Sequence, residues 1–249
     1  MIKYLKENRI GIITLNRPEK RNALNPELVS QLKDKLKEIK DDEDVKVLII
    51  TGQGKSFCSG ADLEYLNSIK DFSSIENEND SESLAKLFLD IYNFPVPTIA
   101  AVNGAAIAGG CGLANVCDFI IADKDNAKFG YSEVKIGFIP AIVSIFLIKK
   151  IGEGKTKQLL LTGEIINAQK AKDIGLVDYL AEDALSEAKT FANKLLTNST
   201  LSMKLTKKMI SDISNLNVKE AVEYCIELNT ISRSTEDFKK GLENFLLKK

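Results

Sequence analysis

Three short runs constrain this chain more than any other feature. "VKVLIITG" (45–52), "PTIAAVNG" (97–104) and "DFIIAD" (118–123) are apolar almost throughout, and the first two end in glycine. Runs this short and this continuous suit strands buried on both faces of a parallel sheet. "RIGIITLNRP" (9–18) alternates Ile10, Ile12 and Leu15 with smaller or polar residues and stops at Pro18, which predicts another strand. Between them, "NPELVSQLKDKLKEIKDD" (25–42) offers Asn25 as an N-cap and Pro26 at the first helical position. Leu28, Val29, Leu32, Leu36 and Ile39 then form one helical stripe. Strand, helix and strand in alternation predict an α/β fold, with helices covering a largely parallel sheet.

The polar stretch "SIKDFSSIENENDSES" (68–83) reads as a mobile loop or loosely held helix just after "FCSGADL" (57–63), where a flap over a pocket would lie. Beyond about residue 185 the strands stop. "ALSEAKTFANKLLTN", "LSMKLTKKMISDI", "VKEAVEYCIELNTISR" and "STEDFKKGLENFLLKK" follow as amphipathic helical segments. We therefore expect a core over 1–185 and a helical region over 186–249 that packs on a sister subunit or on the core.

Composition narrows the chemistry. The chain of 249 residues has no histidine, which removes Ser-His-Asp and Cys-His mechanisms and every histidine metal site. Cys58, Cys111, Cys117 and Cys225 form no CxxC pair, and Cys111 and Cys117 stand in apolar surroundings as buried thiols would. No metal site is expected. The formal net charge of −1 gives no field for nucleic acid or an anionic membrane. No run approaches a membrane span and "MIKYLKENRIGIITLNR" has no signal-peptide core, so a cytoplasmic setting is expected.

"VNGAAIAGGCGLANVCD" (102–118) is the most unusual segment, small throughout and uncharged until Asp118. A phosphate loop needs lysine and then serine or threonine after its second glycine, whereas Gly109 is followed by Gly110 and Cys111. A dinucleotide fingerprint read from Gly110 meets Asn115 at the third glycine, so both nucleotide readings fail. The strand "PTIAAVNG" instead leads to a helix starting at "GGCGLANVCD", whose first N–H groups favour negative charge. "VKVLIITG" likewise leads into "GQGKSFCSGADL". Two such turns at one end of a parallel sheet would supply two convergent N–H donors for an oxyanion. Losing one such donor typically costs about 2.7–4 kcal/mol of transition-state stabilisation.

"LNRPEKRNALN", "FCSGADL", "PTIAAVNGAAIAGGCGLANVCDFIIAD" and "AKFGYSEVKIGFIPA", in that order, resemble the crotonase (enoyl-CoA hydratase/isomerase) superfamily. "KQLLLTGEIINAQKAKDIGLVD" and the C-terminal "STEDFKKGLENFLLKK" extend the resemblance over nearly the whole chain. It implies a spiral of ββα units with a C-terminal helical trimerisation region, giving a homotrimer or hexamer. It also implies an acyl-CoA thioester as substrate and no cofactor. By motif position the oxyanion donors would be the N–H groups of Ala61 and Gly109. The resemblance further implies a substrate-binding set of Ala23, Ser59, Asp62, Leu63, Gly110, Tyr131, Ser132 and Ser144, although Asp62 also reads as a structural cap. Arg21 and Asn22 would lie in the CoA-side turn.

Two-glutamate hydratases of the family carry a first glutamate directly after the glycine run. That position resembles Gly112 here, while the second glutamate matches Glu133 in "GYSEVKIG". Glu133 is thus the expected general acid/base. Gly112, "SEVKIG" and "IPAIVSIFLIKKIGEGK" together are most similar to bacterial 3-methylglutaconyl-CoA hydratases. That implies a lyase interconverting 3-methylglutaconyl-CoA and 3-hydroxy-3-methylglutaryl-CoA in leucine degradation. A one-glutamate enoyl-CoA isomerase, an acyl-carrier-protein-linked dehydratase of polyketide branching and a non-catalytic thioester binder are the alternatives.

Overall fold

A computed structural model describes residues 1–247; Lys248 and Lys249, at the end of the expected helical region, lie outside the described residues. The chain opens with a hairpin of β1 (Ile2–Glu7) and β2 (Ile10–Leu15), followed by α1 (Pro26–Asp41). Next come β3 (Val47–Gly52), β4 (Ser56–Cys58), α2 (Leu63–Ser68) and α3 (Ser74–Tyr92). A third unit holds β5 (Thr98–Val102), β6 (Ala105–Ile107) and α4 (Gly109–Asn115), and a fourth β7 (Phe119–Asp123), β8 (Lys128–Gly130) and α5 (Ala141–Thr162). Then follow β9 (Ile165–Asn167), α6 (Ala168–Asp173), β10 (Tyr179–Ala181) and four helices, α7 (Ala184–Leu195), α8 (Thr200–Ile213), α9 (Val218–Arg233) and α10 (Glu236–Leu247).

The opening hairpin lies wholly in one sheet, and each ββα unit after it splits its two strands between two sheets. The larger runs β1-β2-β3-β5-β7-β10 and the smaller β4-β6-β8-β9. Pairing from β2 through β10 in the larger sheet is parallel, and β1 joins antiparallel. Successive units therefore advance along both sheets together, which is the expected spiral.

The apolar strand runs follow from burial of both faces of the large sheet. Ile13, Leu48, Ile50, Ala100 and Ile120 point into the main core, which also receives the α1 stripe of Leu28, Val29, Leu32, Leu36 and Ile39. Their alternates, Ile12, Val47, Ile49, Ile99 and Ile121, pack on Ala184, Ala188 and Ala192 of α7. Each large aliphatic side chain so buried contributes about 1.5–3 kcal/mol. The expected boundary at 185 falls inside α7, whose Ala184, Ala188 and Ala192 pack on the large sheet.

Asn25 caps α1 through a hydrogen bond from the Leu28 N–H, and Pro26 follows it at the first position. The polar stretch 68–83 is helical for most of its length. Ser73 and Glu76 form a capping box that starts α3, whose buried residues, Leu87, Phe88 and Ile91, all lie near its far end.

Candidate active site

Two turns meet at one end of the paired sheets. After β4, the turn of Ser59 to Asp62 is fixed by its backbone: Leu24 N–H donates to Gly60 O (2.7 Å) and Asp62 N–H to Leu24 O (2.8 Å). Leu24 and Ala61 thus form an isolated parallel bridge. In that pattern Ala61 itself turns its N–H and C=O away from Leu24, and Ala61 is exposed.

After β6, Ala108 takes φ 52° and ψ −125° to swing the chain into α4. This is a strained conformation for a residue with a Cβ. Gly109 is the first residue of α4, so its N–H is one that the helix leaves without an acceptor. Close approach of the two turns requires glycine. A Cβ on Gly60 would lie 2.8 Å from Ile107 O, 2.9 Å from Ala108 Cβ and 3.4 Å from Gly109 N. One on Gly110 would lie 2.0 Å from Cys58 O. The exposed Ala61 turn and the first N–H groups of α4 are therefore neighbours, with the helix's positive end beside them.

Glu133 reaches this place from the third strand of the small sheet. Ala108 N–H donates to Gly130 O at the end of β8 (2.7 Å), and a 3-10 turn, Glu133–Ile136, follows. Glu133 is 8% exposed. Its Oε2 is enclosed and has no hydrogen-bond partner. Burial pushes its carboxyl above the ordinary glutamate range, opposed in part by its own backbone N–H. A carboxyl held so keeps its proton to a higher pH than a free glutamate does, the direction that suits a group taking up and returning a proton.

Gly112, one turn into α4, faces α5. A Cβ there would lie 2.3 Å from Val143 Cγ1 and 3.3 Å from Phe88 Cε2. The space a first glutamate would use is filled by Val143.

The remaining residues of the expected set fall in different places. Asp62 is buried, caps α2 through the Glu64 N–H (3.0 Å) and pairs with Arg17 Nη2 at 3.0 Å. Burial works against its charge, but these hydrogen bonds hold its carboxyl below the usual aspartate range. Ala23 is buried and its carbonyl accepts from Arg17 Nη1 (2.6 Å), while Ser59 N–H donates to Arg21 O (3.1 Å). Leu63, first in α2, is 71% exposed beside Ala61, a large apolar surface at the mouth of the two turns. Gly110 is buried against β4.

Tyr131 is fully enclosed, and burial together with the neighbouring Cys111 thiol raises its phenol well above the ordinary value. Tyr131 therefore stands beneath the site. Ser132 is half-buried and its carbonyl accepts from Lys135 N–H (3.0 Å). Ser144, in the first turn of α5 and next to Val143, gives its hydroxyl to Ala141 O (2.6 Å). Arg21 and Asn22 both take positive φ, 51° and 56°, in the tight turn before Ala23.

Two residues escaped the sequence reading. Val143 lies within "IPAIVSIFLIKKIGEGK", which enters that reading only as part of the resemblance. Arg17 stands in "LNRPEKRNALN", but its partner Asp62 is distant in the chain and nothing local marks the pairing. Among the described residues no three His, Cys, Asp or Glu side chains are grouped to hold a metal ion. No helix among them is long and apolar enough to cross a membrane.

The chain matches the family model described as Enoyl-CoA hydratase/isomerase over residues 5–249. It is 36% identical to the crotonyl-CoA hydratase of Syntrophomonas wolfei over 248 residues, covering 98% of this chain and 94% of the relative. It is 34% identical to the 2,3-dehydroadipyl-CoA hydratase of Escherichia coli over 247 residues, covering 98% and 94%. The crystal structure of an enoyl-CoA hydratase from Polaromonas sp. JS666 superposes with a TM-score of 0.94 at 31% identity, covering 100% of this chain and 97% of that one. The two-sheet ββα spiral is thus the crotonase fold, and the chain belongs to the enoyl-CoA hydratase/isomerase family of enzymes.

Proposed function

We propose that this enzyme adds water to, or removes it from, the double bond of an enoyl-CoA, with Glu133 as its one proton-carrying side chain. Two observations carry this: Glu133 is buried with its Oε2 unpartnered, and Val143 occupies the room that a second carboxylate at Gly112 would need.

In hydration the Glu133 carboxylate takes one proton of a water as the water oxygen bonds to Cβ. The thioester oxygen gathers the resulting negative charge between the N–H groups of Ala61 and Gly109. The same carboxyl then returns its proton to Cα. Dehydration is the reverse: Glu133 removes the Cα proton and delivers it to the departing β-hydroxyl. Coenzyme A serves as the handle, held around Ala23, Ser59 and Leu63.

For the acyl group we propose a branched dicarboxylic chain, 3-methylglutaconyl-CoA with 3-hydroxy-3-methylglutaryl-CoA. A distal carboxylate on the substrate would itself assist loss of the hydroxyl where the protein supplies only one. The Escherichia coli relative, named for a dicarboxylic acyl-CoA, supports that class. A second reading, an enoyl-CoA isomerase, rests on the same single carboxyl, since moving a double bond needs one proton shuttle.

Turnover of 3-methylglutaconyl-CoA, crotonyl-CoA and a 3-enoyl-CoA, with Glu133→Gln beside the wild type, tests these readings. Loss of the conjugated thioester absorbance on the branched acid, falling about 10²–10⁴-fold in Glu133→Gln, is the expected result. Turnover of the 3-enoyl thioester alone would favour the isomerase, and an undiminished Glu133→Gln would overturn both.

A further inference from the structure

The strongest feature of the site that neither reading uses is a buried ion pair between two loops. Arg17 and Asp62 have side chains 10% and 9% exposed. The guanidinium is forked: Nη1 donates to Ala23 O at 2.6 Å and Nη2 to Asp62 Oδ2 at 3.0 Å. Ala23 precedes Leu24, which holds Gly60 O and Asp62 N–H on either side of Ala61. These contacts close a ring that runs Arg17, Ala23, Leu24, then both flanks of Ala61, then Asp62 and back to Arg17.

Arg17 is itself held. Its own N–H donates to Asn22 Oδ1 (2.9 Å), and the Asn22 amide, fully buried, donates to Gln53 O (3.0 Å) and Ser56 O (2.8 Å). That anchors the Arg17 backbone to the turn after β3 and the start of β4, the strands that lead to the Ala61 turn. The other Asp62 oxygen, Oδ1, fixes the start of α2 through Glu64 N–H. The plane of the Ala61 peptide is thus tied to the large sheet, the small sheet and α2 at once.

We propose that Arg17 is a positioning residue for the oxyanion site: its two-pronged contact to Ala23 O and Asp62 sets the direction of the Ala61 N–H. The proposal rests on Ala61 being an oxyanion donor. A buried ion pair is weak evidence for stability, because an apolar pair can fill the same volume at equal or lower cost. What an apolar pair cannot do is join a carbonyl of one loop and a carboxylate of another in one rigid plane, as the guanidinium fork does. An N–H donor rotated or shifted by a fraction of an ångström loses most of its advantage in the transition state while ground-state binding changes little.

The test compares Arg17→Met, which keeps the length and loses the fork, with Arg17→Lys, which keeps the charge but reaches one acceptor at a time. Three quantities are read: affinity for CoA, kcat and KM on the best enoyl-CoA, and the absorption band of a bound cinnamoyl-type thioester. That band moves to the red as the thioester carbonyl is polarised.

In Arg17→Met we expect kcat to fall about 10- to 100-fold with CoA affinity and KM within about threefold, and a smaller red shift. Arg17→Lys should recover part of both. Should Arg17→Met fail to fold, Arg17→Lys alone carries the test, with lowered kcat and red shift at unchanged CoA affinity. Wild-type kcat and red shift in the folded variants would overturn the proposal.

Ala61→Pro, which removes the N–H itself, separates the two levels of inference. If it abolishes the red shift while the Arg17 variants leave it intact, Arg17 alone is misassigned. If it too leaves the red shift intact, the Ala61 donor is wrong and the Arg17 proposal falls with it.

Discussion

Val143 stands where a side chain on Gly112 would have to begin: a Cβ at Gly112 would lie 2.3 Å from its Cγ1 and 3.2 Å from its Cβ. α4 and α5 pack this closely only because one of them lacks a side chain at the contact. Gly112→Ala should therefore destabilise the fold by about 1–3 kcal/mol through overpacking. Val143→Ala in the same chain should restore much of that loss. Urea denaturation midpoints of the two variants check both statements. A Gly112→Ala protein as stable as wild type would show that the helices can part without cost.

A single buried carboxyl fixes the shape of the pH–rate profile. Glu133 must be ionised to accept the first proton in either direction, and burial holds its pKa above the ordinary 4.5. The value of kcat/KM for hydration should thus fall as pH drops, along one limb whose midpoint lies above 4.5. The limb should follow one proton, because Gly112 supplies no second carboxylate. A slope of two protons on the acid side would contradict the one-carboxylate site.

The same burial bears on stability with a definite sign. A carboxyl whose folded pKa exceeds its unfolded pKa holds its proton more tightly in the folded state. Above the folded pKa, ionised Glu133 therefore weakens the fold, and below the unfolded pKa the difference disappears. Glu133→Gln should accordingly melt higher than wild type at neutral pH, and the gain should vanish as pH falls below about 4.5. Thermal melts at pH 7 and pH 4 read this directly. A variant that melts lower at pH 7 would mean that Glu133 gains more from its surroundings than burial costs it.

How far the sequence revealed all this depends on whether the signal was local. Asn25, Pro26 and the Leu28–Ile39 stripe carry α1 within one segment, and the structure has them as read. The strand β1 was not read, because Lys3 and Leu5 are exposed and no apolar alternation survives on its outer side. Its hairpin turn, Asn8–Arg9, takes positive φ at both residues without a glycine to announce it. Glu133 could be singled out because its motif is contiguous, and the structure buries its side chain. The Arg17–Asp62 pair was not, since its partners lie 45 residues apart and meet only once the two sheets are assembled. Val143 over Gly112 is the same case, a contact between two helices that neither helix encodes alone.

The helices beyond the sheet carry the last prediction. α9 exposes Val218, Val222 and Ile226 at 82%, 52% and 59%, one row at four-residue spacing along the helix. Ile213 and Leu216, at the end of α8 and in the turn after it, continue that row as one groove between the two helices. An apolar face of this extent is of the kind that contact with another chain would cover. We expect the wild type to run as a trimer or a multiple of it. Val222→Glu with Ile226→Glu should shift it toward the monomer by placing charges in the row while leaving the fold of each copy intact. Light scattering coupled to size exclusion decides this: a wild-type mass of a single 27.5 kDa chain at micromolar concentration would refute the assembly.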